Sequence, residues 1–374
     1  LESIEGKMTR RIVLWSVLGL IVVLAAAFWW FTRPEPVLTV MTWAGPYARA
    51  QANALFRPYA ENNRVDVRLA EYDGGLDGVR TAVATHKYDA DVIDFELDDA
   101  VAACVQGLLE PIDPSGLPAG ADGTPARKDF FANAVGPCWV GSIVFSQVLA
   151  YATDRFGATP PRTLADFFDL QRYPGPRALR RGSAKFNLEL ALLADGVRPS
   201  DVYKVLSTPE GVTRALAKLG TIRPSIVWWT RSEDAIAMLE DGRATFAAAL
   251  NGDVFDAAMH HRPVGVIWDR QLYELDVFGI PKGDPKKARA FDFVRFATGS
   301  EPLARVAGWV PYGPARRSAL AFVGKNPETG TAMMPYLPTA PANFATAFAV
   351  DDGWWRTHGD AIAPRWDAWL AQGS

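Results

Sequence analysis

Carboxylates and aromatic rings recur together at the carboxyl ends of the predicted strands. Trp43, Gly45 and Tyr47 follow the first strand, and Glu96, Asp98 and Asp99 follow the third. Asn251, Gly252 and Asp253 follow a later one. Trp228, Trp229 and Trp268 also fall at strand ends. Carboxylates make charge-assisted hydrogen bonds with ammonium groups, and aromatic faces hold alkyl chains and cations. The mixture suits an amine ligand. Glu274 and Asp276 share one strand face by period two, with Tyr273 and Leu275 on the other. Like charges so close disfavour ionisation unless a cation joins them. Blander readings stand beside these. A lone Trp43 reads more readily as core, and Asp253 after Gly252 as a helix N-cap. The run Asp89–Asp99, six carboxylates in eleven residues, reads as a solvated edge, and its spacing is not that of an EF-hand.

The elements that must position these groups follow an alternating pattern. VLTVMT, VDVRLA and DVIDFEL read as strands separated by helices over 47–61, 75–86 and 98–106. That order predicts a parallel sheet with helices on both faces. A Pro/Gly/Asp-rich stretch, 111–137, leads to a strongly apolar strand, 142–151. Residues 163–220 read as mostly helical. Strands follow at 226–229, 245–250, 264–268 and 273–280, with helices at 232–241, 253–260 and 285–298. Two α/β units result, with no Ser/Gly linker between them. A chain crossing between two lobes more than once fits this pattern. Ligands in open α/β sheets bind beyond the carboxyl ends of strands, where the aromatic–carboxylate mixture lies.

The length, 374 residues, suits two domains, and 49% apolar with 22% charged residues is globular. A net charge of −3 gives no footprint for nucleic acid, and four His with two Cys give little for a zinc site. Residues 1–7 read as upstream of a start at Met8. Arg10 and Arg11 precede twenty uncharged residues, Ile12 to Phe31, ending in Phe-Trp-Trp-Phe. As a helix that run is about 30 Å long, the thickness of a bilayer core. Residues 8–36 are therefore expected to be an uncleaved signal anchor with an interfacial aromatic belt, or a signal peptide cleaved near Ala25–Ala27. Both place residues 37–374 in the periplasm. Outside the cytoplasm two lone cysteines usually pair, so a Cys104–Cys138 disulfide is expected. The alternative, a catalytic cysteine, finds no His near either one in sequence.

The segments TWAGPYARAQ, EYDGGLDGVR, YDADVIDFE, GLLEPID, PCWVGSIVFS, KFNLELALLADGV, YKVLSTPEGV, NGDVFDA, DVFGIPKGDP, VPYGPARR and LPTAPANF follow along the chain, several of them distinctive in order and spacing. With them the chain resembles the extracellular solute-binding proteins of ABC importers, in the spermidine/putrescine-binding family, over nearly all of 37–374. The resemblance implies an α/β type II periplasmic-binding fold: two α/β lobes around a hinge and ligand cleft, here preceded by the N-terminal hydrophobic helix. It implies lobe 1 from 37–147 plus 278–325, lobe 2 from 148–277, and C-terminal helices over 326–374 packing on the lobes. Trp43 resembles the aromatic that packs on the ligand chain, with Tyr47 near it. Glu189 resembles a second-lobe carboxylate, and Asp253 and Asp276 those that fix an amine. Tyr312 resembles an aromatic closing the site, and Glu96, Trp229, Asn251 and Glu274 join the set from their strand ends. Two positions depart: Leu250 stands where polyamine binders tend to carry Trp, and Glu274 where they carry an aromatic.

The expected function is capture of a small cationic amine by lobe closure, as a monomer without cofactor, metal or nucleic acid, and delivery to an ABC permease in the inner membrane. Two rivals use the same fold: a membrane-anchored ligand sensor or scaffold, and a thiaminase-like enzyme with Cys as nucleophile.

Overall fold

The computed structural model describes residues 35–372, together with Trp15. Apart from Trp15, the run Ile12–Phe31, with its anchor and signal-peptide readings, lies outside the described residues. Among them no helix is long and apolar enough to cross a membrane.

Strand β1 (Val37–Trp43) alternates, burying Leu38, Val40 and Thr42. Gly45, at φ 84°, turns the chain into helix α1 (Pro46–Gln51), with proline in the first turn where a missing N–H costs nothing. A π-helical turn, Ala52–Phe56, joins α1 to α2 (Arg57–Asn63). Next come β2 (Asp66–Tyr72), α3 (Asp77–Thr85), β3 (Val92–Glu96) and α4 (Leu97–Val105). β1 pairs in parallel with both β2 and β3, the arrangement that the alternating pattern predicts.

Two long strands then carry the chain between lobes. β4 (Val140–Ala152) is buried along nearly its whole length, which is why it reads as one apolar run. β8 (Val264–Gly279) is a single strand of 16 residues, where two separate strands are expected from sequence. The polar Asp269-Arg270-Gln271 interrupts the pattern without ending the strand. Arg270 takes φ 57°, and its N–H bonds to Thr346 Oγ1 at 3.0 Å. The buried Gln271 donates to the carbonyls of Pro338 (2.9 Å) and Asn343 (2.7 Å) and accepts from Ser146 Oγ (2.6 Å). A polar break is thus satisfied by a segment some seventy residues away, which strand periodicity does not register.

Between these strands lie β5 (Arg177–Arg180), α5 (Asn187–Ala194), α6 (Pro209–Gly220), β6 (Ile226–Trp229), α7 (Ser232–Glu240), β7 (Phe246–Leu250) and α8 (Asn251–Met259). The chain returns through α9 (Lys287–Ala297), α10 (Ser300–Trp309) and β9 (Gly313–Pro314). It ends with β10 (Phe348–Ala349) and α11 (Asp352–Ala371). The strand order is β2-β1-β3-β8-β4-β7-β5-β6, with β10 beside β8 and β9 beside β4. One sheet therefore runs through both lobes. β4 and β8 pair on both sides of register shifts at Gly141/Ile143 and Gln147/Leu149.

One core packs Val40, Phe95, Phe278 and Phe293 in lobe 1. Lobe 2 has a core on each sheet face, around Phe246, Leu188 and Leu192 and around Trp229, Ile236 and Val254. Helix α11 buries Trp366 and Trp369 on lobe 2, edge-on to Trp228. In lobe 1 a fully buried ion pair joins Arg316 Nε to Asp129 Oδ2 at 2.6 Å. Cys104 and Cys138 form a disulfide, with Cα atoms 5.8 Å apart. The nucleophile reading of either cysteine has no thiol to rest on.

Candidate ligand cleft between the lobes

A cleft of about 690 Å³ opens where the shared strands meet the ends of β1, β3 and β7. Six of the ten residues expected in a ligand site line it: Trp43, Tyr47, Glu96, Asp253, Asp276 and Tyr312. Leu250 lines it too, so an aliphatic surface stands at that position.

The aromatic wall is held by its neighbours. Trp43 ends β1, and its ring lies 5.1 Å from that of Tyr72. Gly74, at φ 89°, leaves room for it: a Cβ there would meet the indole at 2.8 Å. The Trp43 Nε1 is buried without a partner. Tyr47 and Tyr312 meet edge-on at 5.6 Å. The Tyr312 hydroxyl lies against Gly252, where a Cβ would come within 3.0 Å.

The carboxylates come from facing strand positions. β3 and β8 pair antiparallel, with Glu96 opposite Asp276 and Asp94 opposite Phe278. Opposite residues share a face, so Asp94, Glu96, Glu274 and Asp276 project to the same side. The solvated-edge expectation for Asp89–Asp99 therefore fails in its middle. Asp91 is buried and ion-paired to Lys286 at 3.1 Å, and Asp94 is buried. Asp94 accepts from Tyr47 Oη (2.7 Å), Gln51 Nε2 (2.5 Å), Ser142 Oγ (2.9 Å) and Thr42 Oγ1 (3.3 Å). Burial still pushes it to about 6, against those donors. Burial first, then Asp94 and Glu96, raise Asp276 well above the ordinary carboxylate range. Its Oδ1 is buried with no partner. Desolvation, then Asp98, raises Glu96 to about 7. Asp253 is raised to about 6 by burial and then by Glu233, and its Oδ2 also lacks a partner. Helix α8 begins at Asn251, so Asp253 sits in its first turn instead of capping it. A negative charge there is favoured by the helix dipole.

The other four residues lie outside the cleft lining. Asn251 is buried and bridges segments: its Oδ1 accepts from Ser146 N at 2.9 Å and its Nδ2 donates to the Pro311 carbonyl at 2.6 Å. Trp229 is buried in a lobe 2 core. Glu189 is buried under Tyr203 Oη and Trp355 Nε1, which both donate to its Oε1. Burial raises it to about 7. Glu274 is ion-paired with Lys185. Two cations that the sequence reading does not single out belong to this picture. Arg49, two residues after Tyr47, lines the cleft, and its guanidinium has no ion pair among the described residues. Lys185 bridges Glu274 and Asp352 beside the cleft. Both stand inside the quoted segments, TWAGPYARAQ and KFNLELALLADGV.

Two α/β lobes that share a sheet through two long strands, with a charged cleft over the crossing, define a ligand-capture protein of the periplasmic-binding class. The family model for bacterial extracellular solute-binding proteins matches residues 54–335, and the chain belongs to that family. A gamma-aminobutyric acid-binding protein of Pseudomonas aeruginosa is 36% identical over 335 residues, 90% of this chain and 91% of that one. The crystal structure of an ABC transporter substrate-binding protein from Bradyrhizobium japonicum is similar at TM-score 0.75 and 29% identity, covering 90% of this chain and all of that one. A solved GABA receptor matches at TM-score 0.72 and 26% identity, over 89% and 97%. The chain is a periplasmic solute-binding protein of an ABC transporter. The assignment to the spermidine/putrescine branch widens accordingly to the family as a whole.

Proposed function

We propose that the protein captures a small ω-amino acid of the GABA type in this cleft and delivers it to an ABC permease. One observation carries the reading: the cleft is amphoteric. Asp276 offers a buried carboxylate oxygen with no hydrogen-bond partner at the hinge strand, and Arg49, on the lobe 1 wall, offers a guanidinium with no ion pair among the described residues. A ligand with an ammonium at one end and a carboxylate at the other satisfies both. Trp43 and Tyr312 flank the chain between. The GABA-binding relative supports the same ligand class. Lobe closure needs contacts that the ligand makes better in the closed form, and desolvation on closure strengthens the ion pairs that hold it.

The test is a calorimetric and thermal-shift comparison of the full chain, refolded free of carried-over ligand, with GABA, β-alanine, 5-aminovalerate, putrescine and spermidine. Saturating GABA at 100 times its dissociation constant is expected to stabilise by about 2.7 kcal/mol. Binding of putrescine and spermidine but of no amino acid would sink the zwitterion reading and restore a polyamine one.

A further inference from the structure

Beside the cleft, three chain segments meet around one half-buried ammonium. Lys185 lies between β5 and α5, just before Phe186, which turns into the helix at φ 72°. Lys185 Nζ contacts Glu274 Oε1 on the hinge strand and Asp352 Oδ1 at 2.6 Å in the first turn of α11. The three side chains are 21%, 10% and 7% exposed. Glu274 shares a strand face with Asp276, two residues on. Two residues of strand span about 6.6 Å, near the reach of a four-carbon chain between two amines. A diamine with one ammonium at Asp276 would put the other at Glu274, where Lys185 already lies.

We infer that Lys185 is a specificity-determining residue: a tethered cation that fills the second ammonium subsite and so excludes diamines and polyamines. The inference rests on Asp276 holding the ligand's ammonium, as proposed above. Two carboxylates facing one another need a counter-ion when water is excluded. A linear diamine could supply it, and here the chain supplies its own. A ligand with one ammonium is accepted because it places no second positive charge there. Burial and the facing Asp352 raise Glu274 well above the usual range despite Lys185, so the pair holds little spare charge to attract a second amine. Around Lys185 the other charged groups are Glu189 on α5 and Glu96 and Asp98 from lobe 1. All three are acidic, and Arg356 on α11 donates to the Asp98 carbonyl at the edge of the group; among the described residues Lys185 is the cation that contacts Glu274 and Asp352.

The experiment compares GABA and putrescine affinity, by calorimetry, for the full chain in mild detergent and for its K185A and K185R variants. K185A is expected to bind putrescine at least tenfold more tightly than the unmodified chain, with GABA affinity changed less than threefold. K185R keeps the charge and is expected to keep the discrimination, an outcome that a merely structural lysine would not produce. If K185A does not fold, K185A/E274Q carries the test with Asp352 alone facing the vacated space, and a putrescine gain of at least threefold is expected. A folded variant lacking Lys185 with unchanged putrescine affinity overturns the inference while GABA binding stands. Equal affinity of the unmodified chain for GABA and putrescine overturns it as well. If the unmodified chain binds no amine, the proposed function fails and takes the inference with it.

Discussion

Tyr47 Oη donates to Asp94 Oδ2 at 2.7 Å, tying the helix behind the cleft to the strand beneath it. Both residues are buried, and Asp94 draws three further side-chain donors from Gln51, Ser142 and Thr42. Tyr47→Phe removes one donor from a buried carboxylate, a loss of about 1–3 kcal/mol. It also frees the ring that meets Tyr312 edge-on. Chemical denaturation is expected to show the loss, with GABA affinity reduced by less than tenfold.

Asp276→Asn separates stability from binding. The carboxylate is buried, has a partnerless oxygen, and faces Asp94 and Glu96. The amide removes that repulsion, so the unliganded variant is expected to melt at or above the parent temperature. Its affinity for an amine is expected to fall at least tenfold. A variant that binds GABA as the parent does would remove Asp276 from the site.

Opposite pH trends are expected for the empty and filled protein. Asp94 is raised to about 6, and Glu96 and Glu189 to about 7, each chiefly by burial. The folded chain therefore keeps protons that the unfolded chain releases between about pH 4 and 7. Stability from these groups is present at the acid end and declines as pH rises through that window. The unliganded protein should melt a few degrees higher at pH 5 than at pH 7.5. Ammonium binding needs ionised carboxylates in the cleft, and Glu96, which lines it, ionises over this interval, so GABA affinity should rise with pH. Melting curves with and without GABA at both values check the crossing.

Gly74→Ala tests the support of the aromatic wall. The glycine has φ 89°, and a Cβ there meets the Trp43 indole at 2.8 Å. The substitution strains the backbone and pushes the ring into the cleft, so weaker binding is expected with a shift in Trp fluorescence. A cost of about 1–2 kcal/mol in stability should accompany it.

Arg316→Met leaves Asp129 buried without its cation. Arg316 also donates to the carbonyls of Thr298 and Pro118 and lies 4.7 Å from the Phe130 ring. Loss of about 3–5 kcal/mol is expected in urea unfolding. Neither residue lines the cleft, so GABA affinity of the folded fraction should be unchanged.

Much of the frame was legible because local signals and tertiary demands agree. β1 alternates and β4 is apolar throughout, and both patterns mean the same thing in isolation as in the sheet. Strand ends were informative because ligand groups in an open sheet collect there, which is how Trp43, Glu96, Asp253 and Asp276 came together. Buried polar groups were not legible. Asp94 and Gln271 look like surface residues until their distant donors and acceptors are known. Asn251 and Glu189 carry the right chemistry for a ligand, yet here they satisfy the backbone of Ser146 and the side chains of Tyr203 and Trp355. Lys185 was missed because its meaning depends on Glu274 and Asp352, which are distant in sequence.

The strand order has a temporal side. Lobe 2's own strands, β5 to β7, lie close together in sequence, flanked by the two long strands. The first three strands of lobe 1, in contrast, finish their sheet only against Asp276–Gly279, some 180 residues further along. During synthesis and export those early strands must wait with an open edge for a late partner, and non-local pairing of this kind is slow. Asp352, which completes the Lys185 cluster, emerges later still. The part of the protein made first is therefore finished nearly last, and a chaperone that shields β3 during this interval would protect the ligand site before it exists.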